Sequence, residues 1–457
     1  MDYLELRDKY PVFYYHEFEI YESEQEVQII FDFEIEGLSH FNPAFLIPKK
    51  DCREVGFLRI FREAAFSLGL IELLSYWKIT CSPKIVIESG FLNDDQIQWW
   101  RKLYYNGLQE FFYHNHVNPS FDEFVTLEVV GEMIEGQEDR GRYHGNLIPV
   151  GGGKDSFVSM ELLKDLKADN HAFIINQVKS AIHSAQAAGY DGDRCIVVNR
   201  TLDPRMLEFN KQGYLNGHTP FSALAAFAAV LTAIVYQKQY ICLSNEASAN
   251  EATIKGTSIN HQYSKTFEFE QDFKYYMDHY ITPEIHYFSL LRPLSELQIT
   301  SIFSTLKDYL HVFRSCNVGQ KEEIWCGHCA KCLFVCIMLS AFLDNEELID
   351  IFGKDMLNDT SLQTLFEQLT GMLDDKPFEC VGTREEVNTA VVMSIRRAEA
   401  KGKALPKLYQ AYKESSYYPY YEHATLDYDD LNMETLVPEE YFSLIQKKLQ
   451  ERQNEKL

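Results

Sequence analysis

The segment Gly151-Gly152-Gly153-Lys154-Asp155-Ser156 gathers in six residues most of what holding a phosphate requires. Three consecutive glycines let the backbone bend tightly and bring its N–H groups against phosphate oxygens. Residues 147–150 before it read as a short apolar strand and residues 156–166 after it as a helix. The loop therefore opens onto a helix N-terminus and its positive potential. Lys154 can neutralise phosphate charge, Asp155 can hold a magnesium ion, and Ser156 can donate to a terminal phosphate. Two familiar phosphate loops fail on spacing. A Walker A loop needs glycine where Ile148 stands and Ser or Thr where Asp155 stands, and the dinucleotide fingerprint needs a third glycine at Ser156.

A second constellation lies downstream. Of ten cysteines, Cys316, Cys326, Cys329 and Cys332 crowd into one stretch, which points to a metal rather than a disulfide framework. Four thiolates so spaced can close a tetrahedral zinc site, since tight Cys-x-x-Cys turns aim sulfurs at one point. Cys326, Cys329, Cys332 and Cys336 also fit a ferredoxin-type iron–sulfur run. Zinc is the favoured reading: Cys336 sits among apolar residues, Ile337 replaces the ferredoxin proline, and Cys316 would be left without a role. With four protein ligands and no open position, the ion would be structural. Cys52, Cys81, Cys195 and Cys242 read as core.

The elements around these motifs define the fold. Val27, Ile29, Phe31, Phe33 and Ile35 alternate with mostly polar residues, as in a half-buried strand. Residues 57–78 read as an apolar helix, and Asn93 with Gln96 as a capping box opening another. From Asn146 the rhythm becomes strand–helix alternation, with further strands at 171–175, 195–198, 240–243 and 286–290 and a long helix after Thr219-Pro220. That alternation predicts a largely parallel sheet with helices on both faces. After the cysteines the chain reads as helical. The expected division is an N-terminal α+β domain over 1–144, an α/β nucleotide domain with the metal site over 145–340, and a helical cap over 341–457.

Composition bounds the function. The 457 residues leave room for two or three domains of roughly 100–200 residues. A hydrophobic share of 46% excludes wholesale disorder. Against 43 Lys and Arg stand 68 Asp and Glu, a net charge of −25, which argues against nucleic acid as partner because such binding runs on clustered cations. The longest apolar run, 223–236, falls short of the roughly 18 residues of a membrane helix, and charged residues follow Met1 at once, so a cytoplasmic enzyme with no membrane partner is expected.

The glycine loop resembles the Ser-Gly-Gly-x-Asp-Ser loop of the ATP pyrophosphatases, the PP-loop superfamily, with Gly151 at the usual serine. That implies ATP bound by Gly151, Gly152, Gly153, Lys154, Asp155 and Ser156 and cleaved to AMP and diphosphate in an adenine nucleotide alpha hydrolase-like domain. The late cysteine quartet is similar to that of the 7-cyano-7-deazaguanine synthases. Residues 71–78, 148–156, 217–224, 244–251, 260–265, 314–320, 325–334 and 377–383 together resemble one narrower family, the UDP-N-acetylmuramoyl-L-alanyl-L-glutamate epimerases. Membership implies adenylation of the glutamate carboxylate of a UDP-linked dipeptide, so that the α-proton can leave one face and return on the other. Rival readings are a PP-loop ligase acting on a nucleobase-like acid and an ATP-sensing module without turnover.

Candidates for the remaining roles follow from position and residue type. Asn245 and Glu246 follow a strand at the carboxyl edge of the sheet, where ligands gather in such folds, and Glu246 can hold magnesium, act as base or merely cap a turn. His218 stands at a helix start. His261, Tyr263 and Lys265 can face phosphates or an incipient enolate. Arg292 and Arg314 can clamp anions with planar guanidinium groups, or serve in surface salt bridges. Cys380 is a candidate for the proton-transfer pair, provided its pKa is lowered. The catalytic expectation is thus Lys154, Asp155, Glu246, Lys265 and Cys380.

Overall fold

In a computed structural model the described residues are 2–247, 263–319, 322–375, 377 and 381–455. Among these residues eleven strands form one sheet. They are β1 (Val12–Glu22), β2 (Glu26–Ile35), β3 (Ser39–Phe41), β4 (Ala44–Pro48), β5 (Lys84–Ile87), β6 (Thr126–Val129), β7 (Asn146–Pro149), β8 (Asn170–Ile175), β9 (Cys195–Thr201), β10 (Tyr240–Leu243) and β11 (His286–Ser289). Their order is β11-β10-β7-β8-β9-β4-β2-β1-β5-β6, with β3 added against β2.

The sheet has two halves of different character. From β11 to β9 every pairing is parallel. In that half the chain starts in the middle, at β7, moves outward through β8 to β9, and returns to lay β10 on the other flank of β7. The N-terminal half is mixed: β1, β2 and β4 pair antiparallel, whereas β5 lies parallel to β1 and β6. An antiparallel ladder between β4 and β9, Ala44 opposite Thr201 and Leu46 opposite Asn199, joins the halves.

The period-2 alternation of side chains makes the parallel half a partition between two apolar cores. Leu147, Phe173, Ile196, Ile241 and Tyr287 point into one, which also receives the helices Arg59–Glu72, Asp94–Gly107 and Phe221–Val235. Ile148, Ala172, Ile174, Cys242 and Phe288 point into the other, filled by the helices Lys154–Leu162, Glu296–Phe303, Ala330–Ser340 and Arg384–Ala400. The all-apolar faces of Phe221–Val235 and Ala330–Ser340 follow from this central burial. The Asn93/Gln96 and Ser295/Gln298 capping boxes form as their residue types imply. The segment expected as one helix over 57–78 divides into Arg59–Glu72 and Leu74–Trp77. No helix among the described residues is long and apolar enough to cross a membrane. The molecule is thus a mixed α/β protein with a large mixed sheet and a helical C-terminal region.

Candidate active site

In a parallel sheet that winds outward both ways from one strand, the loops after the two central strands diverge and leave a crevice at their carboxyl ends. Here those strands are β7 and β10. A cleft of about 610 Å³ opens there, walled by residues 149–156 after β7, 174–178 after β8, 243–246 after β10, the start of the helix Phe221–Val235, and the segment 314–317.

The glycine bend forms the near wall. Gly152 has φ +88°, the left-handed region where a side chain is strained, and a Cβ there would meet the Ser180 and Ala181 backbone at 3.0–3.1 Å. Gly151 has open space where its side chain would be, so ligand can approach the main chain directly. Its N–H donates to Ser156 Oγ at 3.1 Å, which fixes the bend to the first turn of the helix Lys154–Leu162. The Gly152 carbonyl accepts from the Arg314 N–H at 2.8 Å. Asp155 and Ser156 line the cleft.

Lys154 is buried instead of facing the cleft, and its ammonium lies between Asp155 and Glu296 Oε1, the latter at 2.6 Å. Burial works against its charge, but the two carboxylates outweigh that and hold its pKa above the ordinary value. Burial likewise pushes the Glu296 carboxyl up to about 8, with Lys154 opposing. Glu296 lies inside the Ser295/Gln298 capping box; that its carboxylate also lines the cleft depends on which helix packs beneath the loop.

Asn245, Glu246, Lys265 and Lys331 line the same cleft. Burial pushes the Glu246 carboxyl up, yet Lys154, Lys331 and Lys265 outweigh it and leave its pKa lowered, so it is an anion at neutral pH. Asn245 donates to Ser289 Oγ at 3.2 Å. Lys331 escaped the sequence reading. Its one signal is a cation inside the Cys329-Ala330-Lys331-Cys332 turn, where the metal spacing fixes the direction of the intervening residues. Phe173, Ile174, Ile175, Val178 and Ala181 supply apolar lining to the cleft.

Other candidates fall elsewhere. Arg292 is fully buried, and its guanidinium donates to the carbonyls of Glu246 at 2.8 Å and Lys265 at 2.6 Å, and to Glu270 Oε2 at 3.1 Å. It braces the wall that carries Glu246 and Lys265; the expected anion clamp is not what its donors are used for. Arg314 lines the cleft but donates to the carbonyls of Glu323, Phe313 and His311 at 2.7–2.9 Å, and burial lowers its pKa. His218 is exposed in the loop that leads to Phe221 and Ser222, which do line the cleft. Tyr263 is buried, its hydroxyl donating to Asp272 Oδ2 at 3.3 Å. His261 and Cys380 lie outside the described residues.

The cysteine quartet converges. One sulfur from each of Cys316, Cys326, Cys329 and Cys332 lies within 4.8 Å of the others. Cys332 Sγ is 3.4 Å from Cys329 Sγ and 3.7 Å from Cys326 Sγ. Four thiolates bonded to one tetrahedral zinc ion at about 2.3 Å would stand about 3.8 Å apart, so the donor set fits such an ion. Backbone N–H groups of Gly319 and Cys326 point at Cys316 Sγ at 3.1 and 3.3 Å, as suits thiolate acceptors. Cys336 is buried in the apolar core, away from this group. The quartet adjoins the cleft through Cys316 and through Arg314, whose N–H holds Gly152.

With this geometry in hand, comparison with known proteins is informative. Residues 5–290 match the MurL N-terminal domain and residues 312–418 the MurL C-terminal domain. The chain is 34% identical over 354 residues to a UDP-N-acetyl-alpha-D-muramoyl-L-alanyl-L-glutamate epimerase of Xanthomonas oryzae pv. oryzae, covering 76% of this chain and 77% of that protein. To proteins of the same name from a Micromonospora species and from Salinispora tropica it is 33% and 34% identical, over 70% of this chain in each case and over 72% and 70% of theirs. No solved structure matches. Matched in order by both family models along most of its length, and by relatives at about a third identity over 70% or more of each chain, this chain belongs to the MurL family.

Proposed function

We propose that this protein converts the terminal L-glutamate of UDP-N-acetylmuramoyl-L-alanyl-L-glutamate to D-glutamate in peptidoglycan precursor synthesis, and that ATP is cleaved to AMP and diphosphate in the process. The substrate follows from the name shared by its relatives. The observation that carries the ATP half is the open glycine bend at the end of the central parallel strand, sharing one cleft with Glu246, Lys265 and Lys331.

The chemistry needs activation because a free carboxylate resists loss of its α-proton, which would add a second negative charge. In our reading the glutamate carboxylate oxygen attacks the α-phosphorus of ATP and diphosphate leaves, so the acyl-adenylate no longer carries the carboxylate charge. A base removes the α-proton, the enolate is reprotonated on the opposite face, and water hydrolyses the mixed anhydride to AMP and the D-glutamyl product.

Roles for this chain's own groups follow from position. The N–H groups of the bend and Ser156 cradle phosphate oxygens, and Lys265 and Lys331 balance the charge of the departing diphosphate. Asp155 and Glu246 are the carboxylates that would hold Mg2+, whose contribution is to draw charge from the phosphates. Lys154 preorganises Asp155 from below. The apolar side at 173–178 receives the adenine ring. Cys380 remains our candidate for one member of the proton-transfer pair, and His218 and His261 for contacts to the UDP-linked dipeptide. We take the parallel half as a PP-loop domain over 145–340, between an N-terminal domain over 1–144 and a helical cap over 341–457, with the quartet holding a structural zinc ion.

Diphosphate release tests this directly. It should require both ATP and the UDP-linked dipeptide, and in D2O the glutamate Cα should acquire deuterium during turnover. Epimerisation that proceeds without ATP, or diphosphate release without deuterium uptake, would refute the sequence of steps.

A further inference from the structure

The outer face of the N-terminal half of the sheet, opposite the helix Arg59–Glu72, carries a second convergent donor set. His16, Glu34 and His40 each offer one ligand atom within 4.8 Å of the others. They come from three adjacent strands, β1, β2 and β3. His40 is the direct cross-strand neighbour of Glu34. His16 is the extra residue of a β-bulge, where the β1–β2 register shifts between Tyr15 and Glu17. A bulge re-aims the side chain it carries, and this one brings the imidazole onto the same carboxylate that His40 meets.

The hydrogen-bond pattern is that of metal-ligating histidines. His16 Nε2 and His40 Nε2 both approach Glu34 Oε2, at 2.9 and 3.4 Å. The far nitrogens each meet another carboxylate: His16 Nδ1 lies 2.6 Å from Glu88 Oε2, and His40 Nδ1 lies 3.5 Å from Asp32 Oδ1. Such carboxylate partners on the second ring nitrogen favour the tautomer whose Nε2 ligates once an ion replaces its contact with Glu34. Donors bonded at about 2.0–2.1 Å to one first-row divalent ion would stand about 3.0–3.4 Å apart, close to the separations found. With Asp32, Glu34 and Glu88 around the two imidazoles, a dication also offsets a local excess of negative charge.

We propose that His16, Glu34 and His40 form a binding site for a divalent transition-metal ion of the zinc or nickel class, with Glu88 and Asp32 orienting the imidazoles and solvent completing the coordination. Imidazole with carboxylate suits such ions, whereas the all-thiolate quartet suits zinc. The site would clamp β1, β2 and β3 at a point where the bulge interrupts the ladder. It is independent of the ATP cleft and of the epimerase reading.

The test is calorimetric titration of the full chain with NiCl2 near pH 7.5, after one equivalent of Zn2+ has been supplied to the thiolates. We expect one Ni2+ ion per chain at this site, and at least a tenfold weaker affinity in His16→Gln and in His40→Gln. Circular dichroism of each metal-free variant checks folding, and because His40 is exposed, His40→Gln decides the matter alone if His16→Gln fails to fold. Absence of Ni2+ binding to the natural chain, or binding undiminished in folded His40→Gln, would overturn the proposal and leave the cluster as histidine–carboxylate hydrogen bonds.

Discussion

Lys154 Nζ lies 2.6 Å from Glu296 Oε1, so the one cation of the glycine loop is held by the first residue of a helix more than a hundred positions later in the chain. Neither group is exposed to solvent to any useful extent. The pair therefore fastens the loop to the helix layer beneath it. Lys154→Met removes the charge that opposes protonation of Glu296, so that carboxyl takes up a proton and loses its partner, and the expected cost is about 1–3 kcal/mol of stability. Chemical denaturation of the variant measures it. Loss of activity with unchanged stability would mean that Lys154 works on the ligand after all.

Asp155 lines the cleft where Lys154 does not. Asp155→Asn keeps the size of the side chain and removes its charge, and diphosphate release should fall by at least about a hundredfold with the fold intact. Coupled phosphate detection gives the rate, and circular dichroism gives the fold.

Gly152 tests the bend itself. An alanine there must adopt φ near +88° and press its Cβ on the Ser180 backbone at 3.0 Å. Gly152→Ala should lose about 1–3 kcal/mol and raise the KM for ATP, whereas Gly151→Ala, with open space at its Cβ, should change stability little. Denaturant midpoints of the two variants, measured side by side, make the comparison.

The thiolate site gives a compositional prediction. Elemental analysis should find at least one zinc ion per chain, and Cys329→Ser should weaken zinc at the thiolates at least about a hundredfold. Since the Arg314 N–H that holds the Gly152 carbonyl is two residues from Cys316, stripping the metal with a chelator should weaken ATP binding as well. Iron with inorganic sulfide in place of zinc would overturn the assignment.

Glu63 supplies a pH dependence away from the cleft. Burial in the helix Arg59–Glu72 pushes its carboxyl from 4.5 up to about 7, with Arg59 one turn earlier opposing. A raised carboxylate pKa means that the folded state binds more protons than the unfolded one between those values. Stability therefore declines as pH rises from about 4.5 to about 7. Glu63→Gln should be near neutral at pH 4.5 and stabilising by about 1–3 kcal/mol at pH 8. Thermal melts at the two pH values decide it.

Local chemistry explains which parts of this protein were readable in advance. The glycine bend, the cysteine quartet, the capping boxes and β2 are each specified by residues close in sequence, and all were visible there. β1 was not, because the bulge at His16 breaks its alternation and its outer half is rich in charge. β5 and β6 are four residues each and are defined by the neighbours they pair with. Within the cleft, Asp155, Ser156, Asn245, Glu246, Lys265 and Arg314 were found by type and position. Glu296 and Lys331 were missed because their place depends on how distant helices pack. Arg292 is a similar case: only the fold reveals that its two terminal nitrogens are engaged by Glu270 and two carbonyls.

The seam between β4 and β9 has an effect on how the polypeptide can be handled. Without β4, the last parallel strand would present a bare row of amide and carbonyl groups, an invitation to stick to other molecules. Anyone seeking a minimal catalytic fragment that starts at Asn146 should therefore expect clumping on expression. A successful shortened version will need to carry the hairpin that shields this margin.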